Sequence, residues 1–248
     1  MKVVATLACR VQSKRLYAKP LQFIDIENEI TILEYLGGFL KTCNRVDEIV
    51  LAISDGVENK PFEILARKMG LQYVIGSEQD VQKRLIMAAE KGDGNIVYRV
   101  TTECPFIYMD TFEEILEKHI KNKAALTVIE GLPEGTYYEI INLADLKTAH
   151  DQGEERHRSE FCTLYMCENP DKFYLQRLRT WSSKLQRPDI RLTVDYPEDL
   201  IVVREVYKAL KVRNDYIKIE DIINYLDANP KLKEVNSWID AGIGRIWD

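Results

Sequence analysis

The chain has 248 residues, 46% hydrophobic and 30% charged. That is the profile of a globular protein and excludes a disordered tail, which buries too little apolar surface to offset its ordering entropy. Its 34 Lys and Arg against 40 Asp and Glu leave a formal charge of −6, so no basic footprint for a nucleic-acid backbone exists and no nucleic-acid partner is expected.

The first apolar run, Val3 to Cys9, is short and lacks a cleavage site, so it reads as a buried strand rather than a secretory signal. Ile49 to Ile53, Ile96 to Val100 and Ala125 to Ile129 repeat the pattern, which suits strands covered on both faces. Between them lie helical segments with readable ends. Thr31 and Glu34 have capping-box spacing ahead of ILEYLGGFL. Asn59 and Pro61 open a helix that Gly70 ends. Asp80 opens DVQKRLIMAAEK, and Asp110 with Glu113 opens TFEEILEKHIKN. Alternation of this kind predicts an α/β fold, a mainly parallel central sheet flanked by helices.

Beyond about residue 130 the pattern changes. GLPEGTYYEIINL, FYLQRL and IRLTV are strand candidates, one or two of them antiparallel. DYPEDLIVVREVYKALK is a helix entered through Pro197, and IEDIINYLDANP a last one, ended by Asn229 and Pro230. No repeat or flexible linker interrupts the chain. The expectation is a single domain over residues 1–248 with an inserted antiparallel arm at about 130–190. No run reaches the roughly 18 apolar residues of a membrane span. The five cysteines form no CxxC pair, so reduced thiols in a cytoplasmic protein are expected.

Three loops carry candidate chemistry. After the first strand, Arg10, Lys14, Arg15 and Lys19 place four cations in ten residues, with Ser13 among them. Ligands of open α/β sheets bind outside the carboxyl ends of strands, and a polyphosphate needs several cations in one place; a solvated basic turn is the alternative. The glycines of a Walker loop are absent. Glu103 follows the strand ending near Val100, where a carboxylate can face a divalent cation or serve as a loop contact. Asp195 ends IRLTV two residues before Pro197, and can cap that helix, ligate a metal, or do both. A further polar group, Glu155, Arg156, His157 and Arg158, offers guanidinium groups for an anionic acceptor or simply makes a solvated turn. His119, on a polar helix face, and His150, near a helix end, read as structural.

Taken together the loops resemble one family. CRVQSKRLYAKPL is similar to the signature ARxxSxRLPxKxL of the cytidylyltransferases that include CMP-Kdo and CMP-sialic acid synthetases, with Tyr17 in place of the proline. YRVTTECPFI resembles RxTxDCPLI, RLTVDYPEDL resembles RxTVDTPEDL, and GSEQDVQKR at 76–84 resembles GSExDVLxR. The likeness covers roughly residues 3–205 and is nearest to the spore-coat-polysaccharide branch.

It implies a GT-A-like nucleotidyltransferase that activates an acidic sugar as its CMP derivative and releases pyrophosphate. The alternatives are transfer to a sugar phosphate or phosphonate, and a catalytically weakened nucleotide-binding relative. By the same resemblance, Arg10, Ser13 and Lys19 bind the triphosphate of CTP with help from Lys14 and Arg15. Gly76, Ser77 and Arg84 join the substrate-binding residues, and Arg10, Lys19 and Asp195 are catalytic. Asp195 binds Mg2+, and Glu103 stands where the family's other magnesium aspartate belongs. Pro133, Gly135 and Glu139 match the PxGxxxE segment near the acceptor, which is a small anionic molecule; Arg156, His157 and Arg158 would face it. Related enzymes pair through the arm, so a homodimer is implied.

Overall fold

A computed structural model describes residues 1–180, 182–211 and 216–239. The first run forms β1 (Val3–Cys9), followed by a small antiparallel hairpin of β2 (Phe23–Asp25) and β3 (Ile30–Thr31). Next come α1 (Ile32–Leu40), β4 (Glu48–Ser54), α2 (Lys60–Met69), β5 (Gln72–Gly76) and α3 (Val81–Lys91). Then follow β6 (Ile96–Thr101), α4 (Phe112–Asn122), β7 (Leu126–Glu130), β8 (Glu139–Asn142) and α5 (Leu143–Gln152). The described chain closes with α6 (Leu164–Glu168), β9 (Leu175–Arg179), α7 (Pro197–Leu210), α8 (Ile219–Ala228) and α9 (Pro230–Glu234).

Seven strands make one sheet in the order β5-β4-β1-β6-β8-β7-β9. Only β8 runs antiparallel to its neighbours β6 and β7; the other pairs are parallel. Side chains alternate between the two faces, as strand geometry requires. Leu7, Leu51, Tyr98 and Ile140 pack with Leu36, Phe62, Leu116 and Val203 on one face. Val4, Val50, Val97 and Ile141 pack with Leu85, Ala89 and Leu146 on the other. The sheet is thus buried on both sides, which is why its central strands read as unbroken apolar runs. Among the described residues no helix is long and apolar enough to cross a membrane.

The topology fixes where ligands can go. Strand β1 pairs in parallel with β4 on one side and β6 on the other. The chain therefore moves outward in opposite directions from β1, and the loops after β1 and β6 leave the same edge of the sheet beside each other. That is the crevice where open α/β sheets bind ligands.

Several local expectations change. IRLTV is not a sheet strand: it makes one isolated bridge, Glu134 to Arg191. Asp110 does not open α4, which starts after Thr111. Asn59 precedes α2, but its side chain makes no cap and instead accepts from Val11 N at 2.9 Å. His119 is buried, not on a polar face, and pairs through Nδ1 with Thr127 Oγ1 at 2.8 Å. The Thr31–Glu34 capping box, the Asp80 cap and Gly70 at φ 65° form as the sequence predicts.

Candidate active site

The first loop is shaped by its backbone. Val11 N is held by Asn59 Oδ1, and Ala18 N donates to Val11 O at 2.8 Å. Ala18 sits at φ 50°, in the left-handed region. A short 3-10 turn, Lys19–Leu21, follows with Pro20 in its first turn. This turn carries Lys19 inward until the residue is 7% exposed, while Arg10, Lys14 and Arg15 remain at the surface. Ser13 Oγ accepts from Arg15 N at 3.4 Å. The second loop is pinned to the first strand by Thr102 Oγ1, which donates to Ala8 O at 2.8 Å. It is pinned to the third by Val194 N, which donates to Glu103 O at 2.9 Å.

The three loops meet at a lysine. Lys19 Nζ lies 2.6 Å from Asp195 Oδ1 and 3.9 Å from Glu103 Oε1. Arg15 Nη2 reaches the same Asp195 oxygen at 2.8 Å, and its guanidinium lies 5.4 Å over the Tyr196 ring. Burial works against the Asp195 charge, but the bond from Lys19 and the charges of Lys19, Arg15 and Arg191 outweigh it and hold the carboxyl below its usual range. An ionised Asp195 follows.

Asp195 is not the helix cap that its place before Pro197 suggests. Asp199 does that work: its Oδ2 accepts from Asp195 N and Tyr196 N, both at 2.9 Å. Asp199 is fully buried, and its Oδ1 accepts from Asn236 Nδ2 and Arg191 Nε at 2.9 Å each. Arg191 also bonds Asp195 Oδ2 at 2.8 Å and pairs with Glu134 through Nη1. Burial opposes the Arg191 charge, yet its three carboxylates win and raise its pKa. Burial pushes the Glu134 carboxyl up against the pull of Arg191.

The other expected residues lie in three neighbouring groups. Gly76 ends β5 and Ser77 is exposed after it, its Oγ accepting from Gln79 N at 3.3 Å. Arg84 is buried below them and donates from Nη1 to Ala52 O at 2.7 Å and Cys9 O at 3.4 Å. A Cβ on Gly76 would stand 2.9 Å from Arg84 Cγ, so the glycine leaves room for that side chain. Glu139 begins β8, pairs with Arg99 of β6 and accepts from Thr163 Oγ1 at 2.5 Å. Arg99 Nη2 donates to Glu160 O at 2.8 Å, and Arg10 Nη2 reaches the Glu160 carboxylate at 3.3 Å. Glu160 therefore links the first loop to the β8 network.

Arg156 and His157 form a cluster of their own on Glu168. Arg156 donates to both carboxylate oxygens at 2.6 Å, and His157 Nε2 lies 2.9 Å from one of them. His157 Nδ1 accepts from Glu154 N at 2.8 Å, so Nε2 carries the proton and donates. The Arg156 bond first, then His157, hold the Glu168 carboxyl down at about 2. Arg158 keeps its Nε buried, with no hydrogen-bond partner among the described residues.

The residues fit a hard divalent cation in a limited way. Among the described residues no three His, Cys, Asp or Glu side chains converge. Two carboxylates, Glu103 and Asp195, do converge on one ammonium. Magnesium is commonly held by one or two carboxylates, with phosphates and water completing its shell, so this pair could hold it in company with a phosphate ligand.

Residues 4–229 match the cytidylyltransferase family. The chain belongs to that family. It is 29% identical to an uncharacterised protein of Methanocaldococcus jannaschii over 96% of this chain and 95% of the relative. It is 27% identical to a spore coat polysaccharide biosynthesis protein of Bacillus subtilis over 74% and 76% of the two chains. A cytidylyltransferase structure from Leptospira borgpetersenii superposes with a TM-score of 0.83 at 23% identity, covering 94% of this chain and 96% of that one. The structure of CMP:2-keto-3-deoxy-manno-octonic acid synthetase complexed with CTP superposes with a TM-score of 0.64 at 14% identity, covering 84% and 99%. Both show the nucleotidyltransferase fold.

The sequence reading gives no site role to Arg191, Asp199, Glu134 or Asn59, although Arg191 and Asp199 lie within RLTVDYPEDL and Asn59 reads as a helix opener. Two of them carried a signal: Arg191 stands four residues before Asp195 and Asp199 four after it, spacings at which a charged neighbour can matter. Glu134 and Asn59 act across 57 and 48 residues of chain, contacts of which the local sequence carries no mark.

Proposed function

We propose that this member of the family transfers the cytidylyl group of CTP to a hydroxyl of an acidic sugar, of the Kdo or nonulosonic-acid kind, and releases pyrophosphate. The convergence of Lys19, Glu103 and Asp195 at the carboxyl edge of β1 and β6 carries this reading. The relative in spore coat polysaccharide biosynthesis and the fold shared with a CTP-bound synthetase of an acidic sugar support it.

The acceptor oxygen forms a bond to the α-phosphorus as the bond from that phosphorus to its bridging oxygen breaks. Pyrophosphate leaves on the far side, and the hydroxyl proton passes to solvent. Such a transfer asks the protein for alignment and charge neutralisation rather than covalent help. Lys19 and Arg15 turn from Asp195 to the triphosphate, and Arg10 neutralises charge at the mouth of the same loop. Asp195 and Glu103 would hold Mg2+, which supplies charge stabilisation at the phosphoryl oxygens. Arg99 and Glu139, tied to Arg10 through Glu160, border the acceptor side, and the chain works as a homodimer.

The test is pyrophosphate release with each of CTP, UTP, ATP and GTP against a panel of acidic sugars, sugar phosphates and phosphonates, with magnesium. Turnover confined to CTP and an acidic sugar is expected. Turnover only with sugar phosphates or phosphonates, or equal use of all four nucleotides, would overturn the reading.

A further inference from the structure

We infer that Arg191 is a positioning residue for the transfer: it locks the Asp195 carboxylate so that one oxygen, Oδ1, is presented to the ligand crevice. The inference rests on the proposed transfer but concerns a residue buried behind Asp195, its side chain 6% exposed.

The two oxygens of Asp195 have different neighbours. Oδ1 meets Lys19 at 2.6 Å and Arg15 at 2.8 Å, whereas among the described residues Oδ2 meets only the Arg191 guanidinium, at 2.8 Å. That guanidinium cannot turn freely. Its Nε is held by Asp199 Oδ1 at 2.9 Å and its Nη1 by Glu134. Its side chain is 6% exposed, against 43% for Arg15. Asp199 in turn is fixed by two backbone amides and by Asn236. A planar fork with three occupied faces sets direction as well as charge, which a lysine ammonium cannot do.

Charge accounting shows why a separate lock is needed. Glu103, Glu134, Asp195 and Asp199 face Lys19, Arg15 and Arg191. A triphosphate draws Arg15 and Lys19 away, and Asp195 then loses both cations on Oδ1. Arg191, bonded to Glu134, Asp195 and Asp199, is the cation of this cluster most firmly held in place. It keeps Oδ2 turned inward, so the freed Oδ1 points where a divalent cation would sit.

Two variants separate positioning from simple charge. In Arg191→Gln a cation beside Asp195 is removed. Electrostatics alone would then tighten metal binding and lower the magnesium needed for half-maximal turnover; loss of positioning raises it. We expect a rise of at least tenfold, a fall in kcat of at least tenfold, and a change in the KM for CTP below about threefold. Arg191→Lys keeps the charge and the fold if Arg191→Gln does not fold, and a rise of at least fivefold in magnesium requirement is expected. Binding of Mn2+ in the presence of CTP, followed by electron paramagnetic resonance, should weaken in parallel. A magnesium requirement that falls in Arg191→Gln, or stays at the parent value in Arg191→Lys, overturns the inference. If the parent turns over no CTP–acceptor pair, the proposed transfer fails instead, and the Mn2+ measurement still decides the role of Arg191.

Discussion

Lys19 Nζ and Asp195 Oδ1 are 2.6 Å apart although 176 residues separate them in the chain. The contact is reached because the left-handed Ala18 turns Lys19 inward and because Asp199, rather than Asp195, caps α7. Each partner is thereby released from a local duty and left to face the other.

Replacing this lysine tests the contact directly. In Lys19→Met the ammonium is lost while the length of the side chain is kept. A charge-assisted contact is worth about 1.5–3 kcal/mol, or roughly ten- to a hundredfold. CTP binding by calorimetry and turnover should both weaken by that factor. Parental CTP affinity in the variant would reduce the first loop to a basic turn.

Gly135 stands at φ +84°, and a Cβ there would come within 2.1 Å of Thr193 N and 2.6 Å of the Leu192 carbonyl carbon. The loop of Glu134 and Gly135 is zipped to residues 190–192 by Glu134 N to Ile190 O and Leu192 N to Glu134 O. Gly135→Ala must strain or part these backbones, at a cost of about 1–3 kcal/mol. At roughly 2–4 °C per kcal/mol for a chain of this size, the melting temperature should fall by about 2–12 °C. An unchanged melting curve would show that the zipper is not formed.

His119 gives the fold a dependence on acid. Its ring is 2% exposed, and burial pushes its pKa down from 6.5 to about 4. The unfolded chain takes up the proton near pH 6.5 and the folded chain only near 4, so between them the unfolded state binds more protons. Stability from this group is complete above about pH 6.5, is lost as pH falls toward 4, and is flat below. The full span is worth up to about 3 kcal/mol. In His119→Gln, which can still hydrogen-bond Thr127 Oγ1, urea unfolding should lose correspondingly less stability between pH 6.5 and 4. The same slope in both proteins would remove His119 as the cause.

What the sequence discloses follows the range of the forces. The buried strands β1, β4 and β6 are legible because both faces are apolar, and Thr31, Gly70 and Asp80 because capping is settled within three residues. The edge strand β5 is not, since its residues are half-exposed and mixed in character. Ile190 to Val194 are all buried, the polar Arg191 and Thr193 included, yet they extend along the loop of Glu134 and Gly135 instead of entering the sheet, a packing choice set 57 residues away. The site divides in the same way. Lys19, Glu103 and Asp195 stand out in their loops, whereas Arg191 shows its purpose only when its three carboxylates are assembled around it.

Asp195 and Asp199 lie four residues apart and do opposite work, and paired substitutions should divide them. Asp199 is fully buried and receives Arg191, two backbone amides and Asn236. Asp199→Ala strands Arg191 beside one fewer charge and orphans three donors. Breaking a buried pair in this way costs about 3–5 kcal/mol, so the melting temperature should fall by roughly 6–20 °C. Asp195→Asn keeps the volume and leaves the cap of α7 in place, since Asp199 provides it. Its melting temperature without ligand should fall by less than that of Asp199→Ala, because the cap and the packing stay and the amide oxygen can still accept from Lys19. The amide would, however, lack the charge that faces Lys19 and that a divalent cation needs, where charge stabilisation is worth several kcal/mol in the transition state. With tenfold in rate per roughly 1.4 kcal/mol, turnover should fall at least about a hundredfold. Melting and turnover are to be measured on one preparation of each variant. An Asp195→Asn protein that melts far lower and keeps its turnover would reverse the two roles, and the candidate site would have to be rebuilt around Asp199.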